Sequence, residues 1–136
     1  MKTLHVDIVT PSKTAFEGEV QSITIPGTLG NFQVLYNHAP LMSSFEIGLI
    51  KIVTEQGEQK LFATSGGTVE VLDNKVIVLA ESFESPEEID TQRAEEAKNR
   101  AKKRIAKETE EKDIDILRAE LALRRAINRL KIVKKL

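Results

Sequence analysis

Cysteine is missing from this 136-residue chain altogether, and with it go disulfides, thiolate metal sites and thiol nucleophiles. Histidine occurs only as His5 and His38, and two distant imidazoles among scattered serines supply no base to activate a nucleophile, so no catalytic residue and no metal site are expected. The stretch MKTLHVDIVTP lacks a charged n-region followed by an apolar h-region. No run approaches the about 18 apolar residues of a membrane-spanning helix. A soluble protein made without a targeting peptide is expected, suited to a bacterial cytoplasm and without direct lipid insertion. Phosphate loops are absent too, because GTLG at 27–30 and Ser65-Gly66-Gly67 lack the lysine and the strand–loop–helix setting such loops need, and both read as strand turns.

What is present divides near Glu84. Residues 1–84 carry five Lys/Arg against ten Asp/Glu, whereas residues 85–136 carry fifteen against eleven. The span 121–136 holds Arg124, Arg125, Arg129, Lys131, Lys134 and Lys135 without one acid, so this end of the chain should seek a negative surface. Nucleic acid is a poor partner for it, since residues 85–136 offer no aromatic side chain for stacking and the whole chain is not basic. A free nucleotide sensor remains a second rival reading, to be separated by whether the chain co-purifies with a larger assembly.

The two halves also differ in periodicity. Residues 1–84 alternate apolar and polar in short runs, predicting strands at 4–9, 20–25, 32–36, 49–54, 59–64, 68–72 and 75–81. Asp73-Asn74, between TVEVL and KVIVLA, predicts a tight hairpin. From Ser85-Pro86 the pattern turns helical, with Pro86 and the acids Glu87, Glu88 and Asp90 suited to a helix start, and one helix is expected over 86–107. Polar residues 108–113 interrupt it before a second helix from about Ile114, giving an antiparallel hairpin over 85–136. The class is therefore α+β, with a β domain over 1–84.

The helical half repeats itself at a spacing of 25 residues: IDTQRAEEAKNRAKKRI from Ile89 and IDILRAELALRRAINRL from Ile114. Arg93, Ala97, Arg100 and Arg104 lie along one stripe in the first copy, as do Arg118, Ala122, Arg125 and Arg129 in the second. Ile116, Ala119, Leu123, Ala126, Leu130 and Val133 form an apolar seam, which the first helix answers mainly with Ala94, Ala97, Ala101 and Ile105. Alanines bury little area, so a weakly held hairpin able to open is expected. The arginine stripes read equally as exposed helix pairs or as a convergent phosphate site. His38, in YNHAPLM, reads as a loop imidazole bonded to backbone.

Several segments together resemble one family. HVDIVTP at 5–11, NHAPLM at 37–42 in place of the usual GHAPL, SGGTVEV at 65–71, IDTQRA at 89–94 and RAELALRRAINRL at 118–130 resemble, over nearly the whole chain, the epsilon subunit of bacterial F-type ATP synthases. The resemblance implies a ten-stranded β-sandwich followed by a two-helix antiparallel hairpin. It also implies a non-catalytic central-stalk subunit that couples proton flow to ATP synthesis, peripheral on the cytoplasmic face of the cell membrane. The sandwich would bind the gamma subunit and the c-ring loops, with Phe32, Tyr36 and His38 on the rotor-facing stretch GNFQVLYNHAP, which departs from the common GEMGVLPGHAP. The hairpin would reach the catalytic alpha/beta head and inhibit ATP hydrolysis, and the charge pattern assigns that contact to Arg118, Arg124, Arg125, Arg129, Lys131, Lys134 and Lys135.

No cofactor is required on this reading, but the resemblance implies ATP as a regulatory ligand. Ile89, Asp90, Arg93 and Ala94 match the family motif I/L-D-x-x-R-A, and Glu84, Arg100, Arg125 and Arg129 fall where the family places nucleotide contacts. Asp90 would accept from the adenine amino group or a ribose hydroxyl while the arginines neutralise phosphates. The recurrence of the same motif at Ile114–Ala119 keeps helix initiation open as its whole explanation.

Overall fold

The computed structural model describes residues 2–106 and 113–134, the first three of the latter stretch by backbone only. Two units result, Met1–Ser85 and Pro86–Leu136.

The first unit is a sandwich of nine strands: β1 (Leu4–Val9), β2 (Thr14–Gly27), β3 (Gly30–Leu35), β4 (Leu41–Phe45), β5 (Gly48–Thr54), β6 (Gln59–Thr64), β7 (Gly67–Leu72), β8 (Lys75–Ala80) and β9 (Phe83–Glu84). The order is β1-β8-β7-β4-β2-β5-β6-β9, with β3 on β2 and β1 pairing β2 as well as β8. Alternation puts Leu4, Val6 and Ile8 of β1, Val69 and Val71 of β7, and Val76 and Val78 of β8 into one core with Ile50 and Ile52 of β5. Asp73 and Asn74, with φ of 49° and 61°, close the β7–β8 hairpin as a turn with both central residues left-handed, as the sequence led us to expect.

The count is nine, where the resemblance implies ten, and β2 accounts for the difference. Its first half pairs with β1 over Thr14–Val20 and its second half with β3 and β5. The register against β5 slips between Val20 and Ser22, so Gln21 is an extra residue. That bulge lets Val20, Ile23 and Ile25 all face the core, although strict alternation would put Val20 opposite to the other two. Counted as one strand β2 gives nine; broken at Gln21 it gives ten.

Gly67 is fixed by packing, because a Cβ there would collide with the Leu79 carbonyl oxygen of the neighbouring strand. The strands β4 and β9 were not expected from the sequence. β4 follows Pro40, reads LMSSF with little β-branched character, and gains its order from pairing with β7 from Leu41↔Val71 to Phe45↔Gly67.

The second unit holds a short 3-10 turn at Pro86–Glu88, then α1 (Thr91–Ala106) and α2 (Asp113–Val133). The expected helix over 86–107 therefore begins five residues late. Its start is set by Asp90, whose Oδ1 accepts the backbone N–H of Arg93 at 3.0 Å, the bond of an N-cap to the third helical residue. Ala94 and Ala101 are buried on α1, as are Ala119, Ala126 and Leu130 of the expected seam on α2, with Ile132 buried beside them.

Candidate functional site

Two regions carry the expected site residues. In the helical unit, Ile89 is buried just ahead of the capping Asp90, and Ala94 is buried one turn further on. These apolar members of I-D-x-x-R-A are thus packing residues. Asp90 is exposed and accepts from a backbone amide, and the Arg93 and Arg100 side chains on α1 are exposed as well. On α2, Arg118, Arg124, Lys131 and Lys134 are exposed while Arg125 and Arg129 are half-buried; Lys135 lies outside the described residues. Arg124 and Arg129 are each engaged in an interaction, as is Glu84, at the end of β9 in the other unit.

The repeat is not structurally equivalent in its two copies. Asp90 precedes α1 as its cap, whereas α2 already begins at Asp113, so Asp115 falls within the first helical turn. The capping role is thus seen in the first copy, while the side chain of Asp115 lies outside the described residues. The exposed face of α2 mixes its cations with two apolar side chains, Leu117 and Ile127, 55% and 43% exposed.

In the β domain, Phe32, Tyr36 and His38 differ in what they offer. Phe32 is half-buried and packs on the core. Tyr36 is exposed, with the Lys2 Nζ 5.4 Å from its ring centroid. The His38 Nδ1–H donates to the Ala39 carbonyl at 2.7 Å, and its backbone N–H donates to Leu35 at 3.1 Å. Asn37 between them has φ of 64°, a left-handed conformation that glycine and asparagine tolerate, so asparagine fits where the family usually has glycine. The side chain adds one bond that glycine lacks, Asn37 Oδ1 accepting from Asn74 Nδ2 at 3.2 Å, beside the main-chain bond in which the Asn37 backbone N–H donates to Asn74 Oδ1 at 2.6 Å.

A third cluster was missed in the sequence. The register His5↔Glu19 and Asp7↔Glu17 sets one imidazole among three carboxylates on one face of β1 and β2. His5 lies with Nδ1 2.7 Å from Glu19 Oε2 and Nε2 3.2 Å from Asp7 Oδ1. Carboxylates only accept, so both contacts are satisfied by the doubly protonated ring. The bond to Glu19 foremost, helped by Asp7, raises the His5 pKa above its usual value; the same bond, with one from Thr3, lowers that of Glu19. Ligand atoms of His5, Asp7 and Glu17 lie within 4.8 Å of one another, the one grouping of this kind among the described residues. The signal was available in two i, i+2 pairs of charged residues on neighbouring strands.

Comparison with known proteins places both units. Residues 3–86 match the pattern described as ATP synthase, Delta/Epsilon chain, beta-sandwich domain, and residues 87–134 the corresponding long alpha-helix domain. An ATP synthase epsilon chain from Clostridium novyi is 42% identical over 132 residues, 97% of this chain and 98% of the relative. That of Desulfitobacterium hafniense is 45% identical over 128 residues, 94% of each chain. A chain of the Euglena gracilis mitochondrial ATP synthase has the same fold, with a TM-score of 0.81 at 20% identity over 99% of this chain and 81% of that one. A chain of the central stalk and c-ring of the Tetrahymena thermophila enzyme gives 0.55 at 18% identity, covering 99% and 98%.

Proposed function

The chain belongs to the family of ATP synthase epsilon chains, and from that premise we propose that it is the central-stalk subunit of a bacterial proton-translocating ATP synthase, without a catalytic site of its own. The observation that carries this reading is that the likeness runs through both units, sandwich and hairpin, at about 40% identity. Among the described residues no helix is long and apolar enough to cross a membrane, which fits a peripheral subunit on the cytoplasmic side held by protein contacts.

The sandwich is the rotor-binding part on this proposal, meeting the gamma subunit and the c-ring loops with the Tyr36–His38 loop in the contact. The hairpin is the regulatory part. The α1 side of its seam is mostly alanine, which at roughly 25 cal/mol per Å² contributes little apolar burial of its own, and this supports a hairpin that opens toward a competing partner. The exposed Arg118, Arg124, Lys131 and Lys134 with Leu117 and Ile127 suit a partner surface both acidic and apolar, supplied by the catalytic alpha/beta head. Docking there would block ATP hydrolysis. ATP held by Asp90, Arg93, Arg100, Arg125 and Arg129 would favour the folded hairpin by binding that state alone.

Ending the chain after Ser85 in the assembled enzyme tests the division of labour. The shortened chain should still assemble, and ATP hydrolysis should rise. Unchanged hydrolysis would leave the hairpin a purely structural element, and loss of assembly would mean that the sandwich does not suffice for rotor attachment.

A further inference from the structure

The Tyr36–His38 loop does not hold its shape through its own sequence alone. Asn37, at its centre, is tied to Asn74 by two hydrogen bonds across 37 residues of chain. Asn74 is itself left-handed, at the tip of the β7–β8 hairpin, and its carbonyl accepts the backbone N–H of His5 at 2.9 Å. One residue thus joins the hairpin tip, the start of β1 and the loop after β3. From the chain's start Lys2 lies over Tyr36, the exposed aromatic of that loop.

We propose that Asn74 is a positioning residue for the rotor contact: its side-chain amide holds Asn37 left-handed and so presents Tyr36 and His38 in one fixed arrangement to the gamma subunit. This rests on the rotor-facing role given to the loop above. Two kinds of bond do different work. The 2.6 Å bond from the Asn37 backbone N–H fixes the loop's main chain, and the 3.2 Å amide–amide bond orients the Asn37 side chain. A loop ordered before it binds loses less conformational entropy on binding, so the clamp raises affinity without touching the partner.

The turn geometry separates this role from a structural one. Asn74→Gly keeps the left-handed hairpin tip and the bond from His5 to the main-chain carbonyl, but removes the clamp. Asn74→Asp also tolerates the left-handed tip and restores an acceptor for the Asn37 N–H, now a charged one. Full-length chains carrying each change are compared by amide hydrogen exchange and by binding to purified gamma subunit, with Tyr36→Ala alongside. Asn74→Gly should speed exchange at the Asn37 amide and weaken gamma binding, each by about five- to tenfold, the worth of one such hydrogen bond. Core amides of β1 and β8 should stay protected. Asn74→Asp should recover most of both. Unaltered exchange at Asn37 in the glycine variant overturns the clamp. Faster exchange with wild-type gamma binding, while Tyr36→Ala binds weakly, overturns the positioning role alone. Wild-type binding in both Asn74→Gly and Tyr36→Ala defeats the rotor reading of the loop and this inference with it.

Discussion

Replacing Asp90 by serine and by alanine separates the helix cap seen in the structure from the ATP contact proposed for the same carboxylate. Its Oδ1 accepts the Arg93 N–H at 3.0 Å, one of the amide donors that a helix start leaves without an intrahelical partner. Losing that bond in Asp90→Ala should cost about 1 kcal/mol of hairpin stability, and more is not expected because the cap is exposed. A serine hydroxyl makes the same bond, so Asp90→Ser should lie within a few tenths of a kcal/mol of wild type by the near-equality of the two caps. A change of about 1 kcal/mol shifts the open–closed balance of the hairpin about fivefold. Amide exchange in the first turn of α1 reads this directly. Calorimetry with ATP reads the other job: a hydroxyl cannot replace the carboxylate as acceptor for the adenine amino group with the same strength, so Asp90→Ser should bind ATP about tenfold more weakly while its helix is intact. If the serine variant loses the helix start as alanine does, the capping argument is refuted. If it binds ATP as wild type does, Asp90 is a cap and nothing else.

Three further outcomes follow from particular contacts. The His5 ring should titrate above its usual value by NMR, moving back toward it in Glu19→Gln; since the folded-state pKa is raised, the stabilisation is complete below the unfolded value and is lost as pH rises through the folded one, and a His5 titration unmoved by Glu19→Gln would refute the pairing. Gly67→Ala should destabilise the sandwich by about 1–3 kcal/mol in denaturant unfolding, because the added methyl meets the Leu79 carbonyl, and an unaltered midpoint would show that β7 and β8 can part at no cost. Replacing Arg118, Arg124, Lys131 and Lys134 together by alanine should relieve inhibition of ATP hydrolysis in the assembled enzyme with the sandwich's unfolding midpoint unchanged; full inhibition would refute the charge argument.

Much of the fold was legible because alternation is strict where a strand has one buried face. Leu4–Val9 alternates without a break and falls where the pattern puts it; Gln59–Thr64 was placed correctly too, although its burial grades from exposed to buried along the strand. β4 was not legible, since LMSSF carries no period-two signal of its own and is ordered by β7. Nor was the bulge at Gln21, which breaks the alternation that served as the guide. The late start of α1 was hidden because Pro86, Glu87 and Glu88 suit a first helical turn as well as the 3-10 turn they form. Of the site residues, the basic side of α2 could be read from charge alone. The Asn37–Asn74 clamp could not, because it joins positions 37 apart that neither periodicity nor spacing connects. His5, Asp7, Glu17 and Glu19 stood in plain view as paired residues at i, i+2, but only the β1–β2 register makes them neighbours.

The 14-residue strand β2 has a mechanical meaning as well. At about 3.3 Å per residue it spans about 45 Å as one unbroken length of backbone, wide enough to serve β1 on one side of the bulge and β3 and β5 on the other. A pull along β2 therefore loads its flanking ladders in shear, with many hydrogen bonds sharing the force at once, where a pull across them would open the bonds one after another. Such a member behaves as a tie rod. In a part proposed to be carried round by a turning shaft, torque entering at one end of β2 would pass to its other end through covalent bonds, whereas load handed sideways from β2 to β4 would cross the single Gly27↔Phe45 pairing.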